Sequence, residues 1–320
     1  SAQLEYSFTY RGSAITPDAV EWEVTEGTAY ASVSDDGVVT GTDMGTAEVT
    51  LTVTYNEQEY TATITVNVTL PTEEVTPAQD VLFDKSTDTA FDEAALAKAI
   101  WGEQTDKTIT DLRYGSAAAS ATIVSGSAYD WASVPAGEER VFYAVSDGVA
   151  YKFTALVVTK TIGTAKEFMT WREETSKDAK TYTNGDAAKA DVYTYGEGEY
   201  ILLTADITLT EDLQHKIWLL TAADTVPNDN KVGFLGTFDG SGYTITAQSA
   251  GWSGLFGDLG SGAVIKNLGV VATLSNTDGI TGIQVRPAAL ASRAYGVTFE
   301  NCYFDVTCGT IVRYSGLLFA

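Results

Sequence analysis

Residues that commonly build metal sites and disulfide frameworks are scarce in this sequence. Its 320 residues include two cysteines, Cys302 and Cys308, and one histidine, His215. Because a zinc site needs several Cys or His ligands, we predict no zinc site. We assign no metal-binding residues, and no cofactor is implied. An extended strand would hold the two cysteines roughly 20 Å apart, so we predict small buried side chains and no disulfide. His215 has no evident acid partner, so we assign no catalytic triad.

Basic residues and long apolar runs are scarce as well. Lys and Arg number 19 against 43 Asp and Glu, and residues 1–70 contain eleven acids with Arg11 as their single base. Such a surface repels phosphate backbones, which argues against nucleic acid as a partner. No run of 18 or more apolar residues occurs, so we predict no membrane-spanning segment.

The two ends of the sequence suggest a segment of a longer protein. No signal peptide is visible at the start, and the chain closes on the apolar run "SGLLFA" without a cell-wall sorting signal. A finished domain would normally close on polar residues. We therefore expect further sequence beyond both ends.

The residues that are plentiful favour β structure. Alanine, threonine, valine, glycine and tyrosine are frequent, whereas methionine occurs twice. Because β-branched and aromatic side chains suit strands, we predict a mainly β fold. The length exceeds that of one ordinary core, which indicates two or three domains.

The first seventy residues carry the pattern of a small β-sandwich. The stretches "AEVTLTVTY" and "EYTATITVNVTL" alternate apolar and polar residues on either side of a short polar turn, which predicts a hairpin. Asp36-Gly37 marks another tight turn among shorter upstream strands. Several strands at this spacing are typical of a sandwich.

The same segment resembles a known family. The order of Trp22, "ASVSDDGVVTG" (31–41), Gly45 and a closing "TATITVNV" is similar to the bacterial immunoglobulin-like domain, group 2, over residues 4–69. The family's opening strand should precede Leu4 and is missing from the pattern. We expect either truncation or a strand supplied from elsewhere. The predicted domain covers residues 1–70.

The following stretch indicates a linker and a second domain. "LPTEEVTPAQ" combines prolines with clustered charge, so we predict a linker at 71–80 and a β-rich domain at 81–162. "FDEAALAKAIWG" predicts one helix with Asp92 as its N-cap, ended by Gly102 in the left-handed conformation. A hairpin is predicted around Asp147-Gly148. No family is recognised in this domain.

From residue 163 the sequence shows a capping box and then a repeat. "TAKE" at 164–167 predicts a helix over 165–174. The stretches "AVIKNLGVVATL" from 263 and "VTFENCYFDVTC" from 297 match at a constant offset of 34 residues, and "GYTITAQ" from 242 is a weaker copy. Self-similarity at such a period is typical of a stacked solenoid.

Equivalent positions of a solenoid lie above one another. We predict a repeated corner at Asn267 and Asn301, because asparagine tolerates the left-handed conformation and its amides can stack. The predicted inward-facing positions form two equivalent sets, namely Ile265, Leu268 and Val270, and above them Phe299, Cys302 and Phe304.

A second resemblance covers this region. "FLGTFDGSGYTI" and "SGLFGDLGSGAVIKNLGV" are similar to the GLUG-type repeat of right-handed parallel β-helices in bacterial surface proteins, well over 199–274 and with weaker echoes to 320. The resemblance implies that residues 163–320 form the N-terminal part of such a β-helix. The helix at 165–174 would cover its first coil, and a loop at about 275–296 would project from it.

Asp side chains are candidates for catalytic acids or bases, because a β-helix can host polysaccharide-cleaving enzymes. The four candidates are Asp206, Asp224, Asp229 and Asp239. For Asp239 in "FDGSG" a turn-forming role beside glycine is favoured, and for Asp206 the role of a polar residue at a strand end. Asp224 and Asp229 flank Pro227 in a loop where a calcium site is conceivable, but they lack the spacing of an EF-hand.

The candidates for ligand binding are arginine and tryptophan side chains. Three arginines stand out in so acidic a chain and suit an anionic sugar, although surface pairing with carboxylates is the simpler explanation. Of the tryptophans, Trp22, Trp101 and Trp171 are predicted to be core residues, whereas Trp252 is a candidate for stacking on a sugar. The predicted binding residues are therefore Trp252, Arg286, Arg293 and Arg313.

Three functions remain open at this stage. The first is a non-catalytic extracellular or cell-surface bacterial protein that adheres to or binds a glycan or a protein of a host or neighbouring cell. The second is a polysaccharide lyase or glycoside hydrolase with an immunoglobulin-like spacer, and the third is a purely structural stalk. Fold alone does not separate them.

Overall fold

The chain is mainly β, as its composition predicts. The computed structural model describes residues 1–118, 121–178, 194–209, 233–250, 254–275, 289–291 and 293–308. The chain divides into two compact units. Unit 1 consists of Ser1–Val81, Thr89–Trp131 and Glu139–Ala155, and unit 2 of Leu82–Asp88, Ala132–Glu138 and Leu156–Ala320.

Unit 1 begins with antiparallel strands. They are β1 (Ala2–Gln3), β2 (Thr9–Tyr10), β3 (Ser13–Ala14), β4 (Ala19–Glu26), β5 (Ala31–Val33), β6 (Val38–Gly41), β7 (Gly45–Tyr55) and β8 (Gln58–Val68). One sheet has the order β1-β6-β5 and another β4-β7-β8, while β2 and β3 pair as a hairpin. Every second side chain of β7 is buried, the period of a strand with one face in the core: Ala47, Val49, Leu51 and Val53.

The turns and edges of this segment follow from local sequence, with one correction. The β7-β8 hairpin turns at Asn56 and Glu57, whose φ angles are 53° and 62°. A strand does precede Leu4, contrary to the expectation from sequence, because β1 pairs with β6 through Ala2 opposite Val39. A two-residue strand is too short to produce an alternating pattern, so the sequence carried no signal for it.

The next elements span residues 72 to 158. They are β9 (Thr72–Glu74), β10 (Leu82–Asp84), α1 (Glu93–Trp101), β11 (Asp111–Tyr114), β12 (Thr122–Ile123), β13 (Glu139–Ser146) and β14 (Val149–Val158). In unit 1 the order is β14-β13-β11-β12, and β9, which lies in the segment predicted as a linker, pairs with β14. The turn between β13 and β14 uses Asp147 and Gly148 at positive φ.

Helix α1 has the predicted start and a different end. The Asp92 carboxylate accepts hydrogen bonds from the amides of Ala94 and Ala95, both at 3.0 Å, which satisfies two otherwise unpaired donors. Gly102 follows the helix with φ 96° and ψ 160°. Its φ is positive as predicted, but its ψ lies outside the left-handed helical region, so the chain leaves the helix extended.

Unit 2 holds parallel strands and one further described helix. The elements are β15 (Lys160–Ile162), α2 (Ala165–Asp178), β16 (Thr194–Tyr195), β17 (Tyr200–Leu203), β18 (Ile207–Leu209), β19 (Gly233–Phe234), β20 (Thr237–Asp239), β21 (Thr244–Ala250), β22 (Asp258–Leu259), β23 (Val264–Lys266), β24 (Gly269–Ser275), β25 (Arg293–Ala294), β26 (Thr298–Glu300) and β27 (Tyr303–Cys308).

These strands form three parallel sheets that the chain visits in a fixed order. The sheets are β15-β17-β20-β23-β26, β16-β19-β22-β25 and β18-β21-β24-β27. Asp239 pairs with Lys266, 27 residues later, and Lys266 pairs with Glu300, 34 residues later. The strand pairing is therefore kept although the length of the intervening chain changes.

The interior of unit 2 is a continuous apolar cluster. Ile201, Phe238 and Ile265 are neighbours in register and are fully buried, and Phe299, the next position, is 37% exposed. Helix α2 adds buried side chains to the same cluster, with the Phe168 ring 6.2 Å from that of Phe238. The helix begins with a capping box in which the Glu167 amide donates to Thr164 Oγ1 and the Gly163 amide donates to the Glu167 carboxylate.

A hydrogen-bonded corner connects the stacked strands. Asn267 and Asn301 have φ angles of 51° and 50°, and Asn301 Nδ2 donates to Asn267 Oδ1 at 3.0 Å. The residues that follow, Leu268 and Cys302, both pack into the apolar cluster, and Cys302 is a half-buried free thiol. The register also puts Val270 beside Phe304.

Two phenylalanines in one row of this core should differ in their contribution to stability. Phe238→Ala removes a fully buried ring that contacts Phe168 and Phe256, and should lower the free energy of unfolding by about 3–5 kcal/mol. Phe299→Ala, the matched control, removes a partly exposed ring and should cost roughly 1–2 kcal/mol. Urea unfolding followed by near-ultraviolet circular dichroism measures both. Equal losses would contradict this account of the core.

Candidate functional site

A cleft of about 380 Å³ opens on the outer side of the largest parallel sheet of unit 2. Strands β17, β20, β23 and β26 supply its floor. Because side chains alternate between the two faces of a strand, the residues that flank the buried row of Phe238 point outward into this region. The lining residues are Ala136, Gly137, Gly198, Glu199, Tyr200, Leu235, Gly236, Thr237, Val264, Lys266 and Glu300.

One row of the floor carries alternating charge. The parallel register sets Asp239 beside Lys266 and Lys266 beside Glu300, one strand spacing apart. Neighbouring parallel strands lie about 4.8 Å apart, so these three positions are close neighbours. Each of the three residues comes directly before a corner of the chain, in "FDG", "IKN" and "FEN".

The wall opposite this row comes from a remote segment of unit 2. Lys85 Nζ donates to the carbonyl oxygens of Ala132 and Val134, both at 2.9 Å, and the Gly137 amide donates to the Val157 carbonyl at 2.8 Å. These bonds hold the chain close to the Tyr200 ring. A Cβ atom at Gly137 would lie 2.5 Å from Tyr200 Cδ2, and its φ is 89°, so glycine is required at this position.

Asp239 is the most heavily hydrogen-bonded group at the site. Its Oδ1 accepts from the Ser241 amide at 2.9 Å and from Asn267 Nδ2 at 3.0 Å, and its Oδ2 accepts from the Tyr200 hydroxyl at 2.5 Å. Lys266 Nζ lies 3.4 Å from the same Oδ2. A carboxylate has about four acceptor positions, so Asp239 has little capacity left for a ligand.

Burial and hydrogen bonding act in opposite directions on these groups. Burial is the largest influence on the Asp239 pKa and raises it, but hydrogen bonds from Tyr200, Asn267 and Ser241, with the Lys266 charge, leave that pKa below its ordinary value. Burial raises the pKa of Tyr200, and its bond to Asp239 adds to the effect. Burial lowers the Lys266 pKa, whereas Tyr200 and Asp239 raise it and prevail.

The two glutamates that line the cleft differ in their exposure. Burial raises the pKa of Glu199, against a hydrogen bond from Trp171 and the charge of Lys160. Glu300 is exposed at the opposite side of the cleft. Glu300 shares a row with Leu202 of β17, three strand spacings away, and Glu199 stands three residues before Leu202, so the backbones of Glu199 and Glu300 lie more than about 14 Å apart.

The cleft can therefore offer polar contacts of both signs on a rigid floor. Lys266 Nζ sits 5.0 Å above the Tyr200 ring, which fixes the ammonium between the aromatic face and the Asp239 carboxylate. Glu300 supplies an exposed carboxylate at one side, and the carboxylate of Glu199 at the other side is partly buried and engaged by Trp171. Gly198 has open space where a Cβ atom would stand, which lets a ligand approach the backbone there.

The residues singled out from sequence have different outcomes. Trp252, Arg286, Arg313, Asp224 and Asp229 lie outside the described residues. Arg293 belongs to β25 and pairs with Asp258, but its side chain lies outside the described part. Asp206, directly before β18, accepts a hydrogen bond from the amide of Thr244 at the start of the neighbouring strand β21. Trp171 is buried, whereas Trp22 and Trp101 are half-buried.

Sequence reasoning missed Tyr200, Lys266, Glu199 and Glu300. A signal was present, because Asp239, Lys266 and Glu300 occupy the same position before successive corners. Following that outward-facing position from one repeat to the next would have found the charged row. The Gly137 wall had no such signal, because the segment is distant in sequence.

The described residues contain no cluster of three or more His, Cys, Asp or Glu side chains that could hold a metal ion. Among the same residues, no helix combines the length and apolar character needed to cross a bilayer.

The architecture defines a mainly β chain with an antiparallel N-terminal segment and three parallel sheets in unit 2. Residues 1–66 match the family model of the bacterial Ig-like domain (group 2), so the resemblance stated for this segment is confirmed. No curated protein and no solved structure matches the chain.

The hydrogen bonds of Asp239 should make stability depend on pH. Its pKa is lower in the folded chain than the unfolded value of about 3.9, so its stabilising effect is complete above that value and is lost as the pH falls through the folded pKa. Asp239→Asn should cost about 1–3 kcal/mol at pH 7. The difference from the wild type should shrink below about pH 4.

Tyr200→Phe tests the cause of this dependence. Removing the hydroxyl takes one donor from Asp239, so its folded pKa should move closer to the unfolded value, and the acid-induced loss of stability should be smaller than in the wild type. Urea unfolding between pH 3 and pH 7 measures the three proteins. A difference between wild type and Asp239→Asn that stays constant over this range would refute the assignment.

Proposed function

We propose that this chain is a non-catalytic extracellular or cell-surface bacterial protein that binds carbohydrate through the cleft of unit 2. Bacterial Ig-like domains of group 2 are common in bacterial surface proteins, and the match at residues 1–66 is compatible with that location. The strong net negative charge suits a protein exposed to solvent.

The fold that accompanies this function is a GLUG-type right-handed parallel β-helix over residues 163–320. Three features support it: the fixed order in which the chain visits three parallel sheets, the asparagine corner and the cluster shared with α2, which would act as the cap. Residues 1–70 would form the immunoglobulin-like domain, residues 71–80 a connection and residues 81–162 a second β-rich domain.

The observation that carries the binding proposal is the composition of the cleft. Sugar hydroxyls both donate and accept hydrogen bonds, and the cleft provides a fixed ammonium at Lys266 with carboxylates at Glu199 and Glu300. A binding site needs a few polar groups held on rigid elements, and these residues stand on or next to strands of one sheet.

Binding is favoured over cleavage by two properties of the carboxylates. Glycosidases hold two carboxyl groups about 5–10 Å apart, whereas the backbones at Glu199 and Glu300 are more than about 14 Å apart and the Glu199 carboxylate is engaged by Trp171. Asp239 lies nearer to Glu300, but its oxygens are occupied and its lowered pKa makes it a weak base. Neither pair suits a hydrolase.

A glycan array on the intact protein, followed by titration calorimetry on the glycans it retains, tests the proposal. Glu300→Gln removes the charge of an exposed cleft residue and should weaken binding about tenfold, since hydrogen bonds to charged groups contribute roughly 1.5–3 kcal/mol. Asp305→Asn makes the same change at an exposed position of β27 and should leave the affinity unchanged. Equal losses in both variants would rule out the cleft.

The two other functions predict different results. An enzyme would release reducing sugar from the retained glycans, which a parallel assay on the same protein measures. A purely structural stalk would retain no glycan. Either result would overturn the proposal.

A further inference from the structure

The sheet β4-β7-β8 of unit 1 has two edges that differ in their protection. Strand β4 carries Glu21, Glu23 and Glu26, and its pairing with β7 is shifted between Val24 and Glu26. Charges and bulges of this kind keep a foreign strand from pairing with an edge. The β4 edge is therefore blunted.

Strand β8 lacks these features. It runs for eleven residues, Gln58–Val68, without proline or basic residues, and Glu59 is its single charge. All eleven of its residues pair with β7 in one unbroken register, from Tyr55 opposite Gln58 to Gly45 opposite Val68. Within the described residues, β8 is the terminal strand of its sheet. A long, regular edge is a template for another strand.

The apolar face of β8 is also uncovered at its centre. Ile64 lies opposite Val49 and Tyr60 opposite Val53, so both face the side of the sheet that holds the buried β7 residues. Val49 and Val53 are buried, yet Ile64 is 47% exposed and Tyr60 is 41% exposed. Phe8 contacts the Tyr60 ring at the hairpin end, and Val66 and Val68 pack into the core at the other. Exposure is thus concentrated between them.

We infer that β8 accepts an additional strand from a partner protein, an extended segment that alternates apolar and basic residues. Main-chain hydrogen bonds to the free edge would supply affinity, and apolar side chains would cover Ile64 and Ala62. The partner's other face would lie beside Thr61, Thr63 and the glutamates of the outer face.

Charge selects this occupant over a second copy of the chain. Residues 1–70 hold eleven acids and one base, so two copies joined at β8 would bring together like charges. Glu57 and Glu59 stand at the start of the strand, and Glu48 lies opposite Thr65. A lysine-bearing strand meets this surface with opposite charge.

A labelled peptide of eleven residues that alternates valine and lysine is the probe, measured by fluorescence anisotropy with the full chain. It should bind, and the same peptide with glutamate in place of lysine should bind about tenfold more weakly or not at all. Light scattering of the protein alone should report a monomer. A dimer that dissociates in Ile64→Glu would overturn the inference in favour of a second copy.

Two matched variants separate strand pairing from plain charge attraction. Ile64→Glu puts a carboxylate on the face that the peptide's valines cover and should weaken binding about tenfold. Thr61→Glu puts the same charge on the opposite face and should keep or tighten binding. Both positions are exposed, so both variants should fold. If Ile64→Glu binds the lysine peptide more tightly, attraction to the acidic surface explains the binding and the inference fails.

Discussion

The parallel stacking in unit 2 depends on a corner at which asparagine side chains hydrogen-bond from one strand to the next. Asn267 and Asn301 take a left-handed conformation that most residues avoid, and each amide donates to the residue below it, in Asp239 or in Asn267. This short ladder adds side-chain bonds to the register that the backbone pairing of the strands sets. In that register Asp239, Lys266 and Glu300 share a row and form the charged floor of the cleft.

Local sequence signals predicted much of the fold, because they depend on few neighbours. Asp92 marked a helix start, Asp147-Gly148 marked a turn and the 34-residue offset matched Ile265 with Phe299. The cleft was not predictable in the same way. Gly137 and Tyr200 meet through hydrogen bonds made by Lys85 and Val157, and no periodicity connects these four positions.

The Asp239 carboxylate illustrates how a turn residue differs from a catalytic one. From sequence, Asp239 was weighed as a possible acid or base and as a turn former. The geometry gives it the turn contact with Ser241, and three further contacts consume its remaining oxygen positions. Its role is to hold Tyr200 and Lys266 in place, while Glu300 at the edge of the sheet is exposed.

The spacing between paired strands has an evolutionary consequence. Leu202 pairs with Asp239 after 37 residues, Asp239 with Lys266 after 27 and Lys266 with Glu300 after 34, yet the pairing of the strands is the same. Insertions and deletions between consecutive rungs therefore leave the stack intact. Such a scaffold lets a lineage vary the sequence between its strands, and so the surface it displays, without having to evolve a new core.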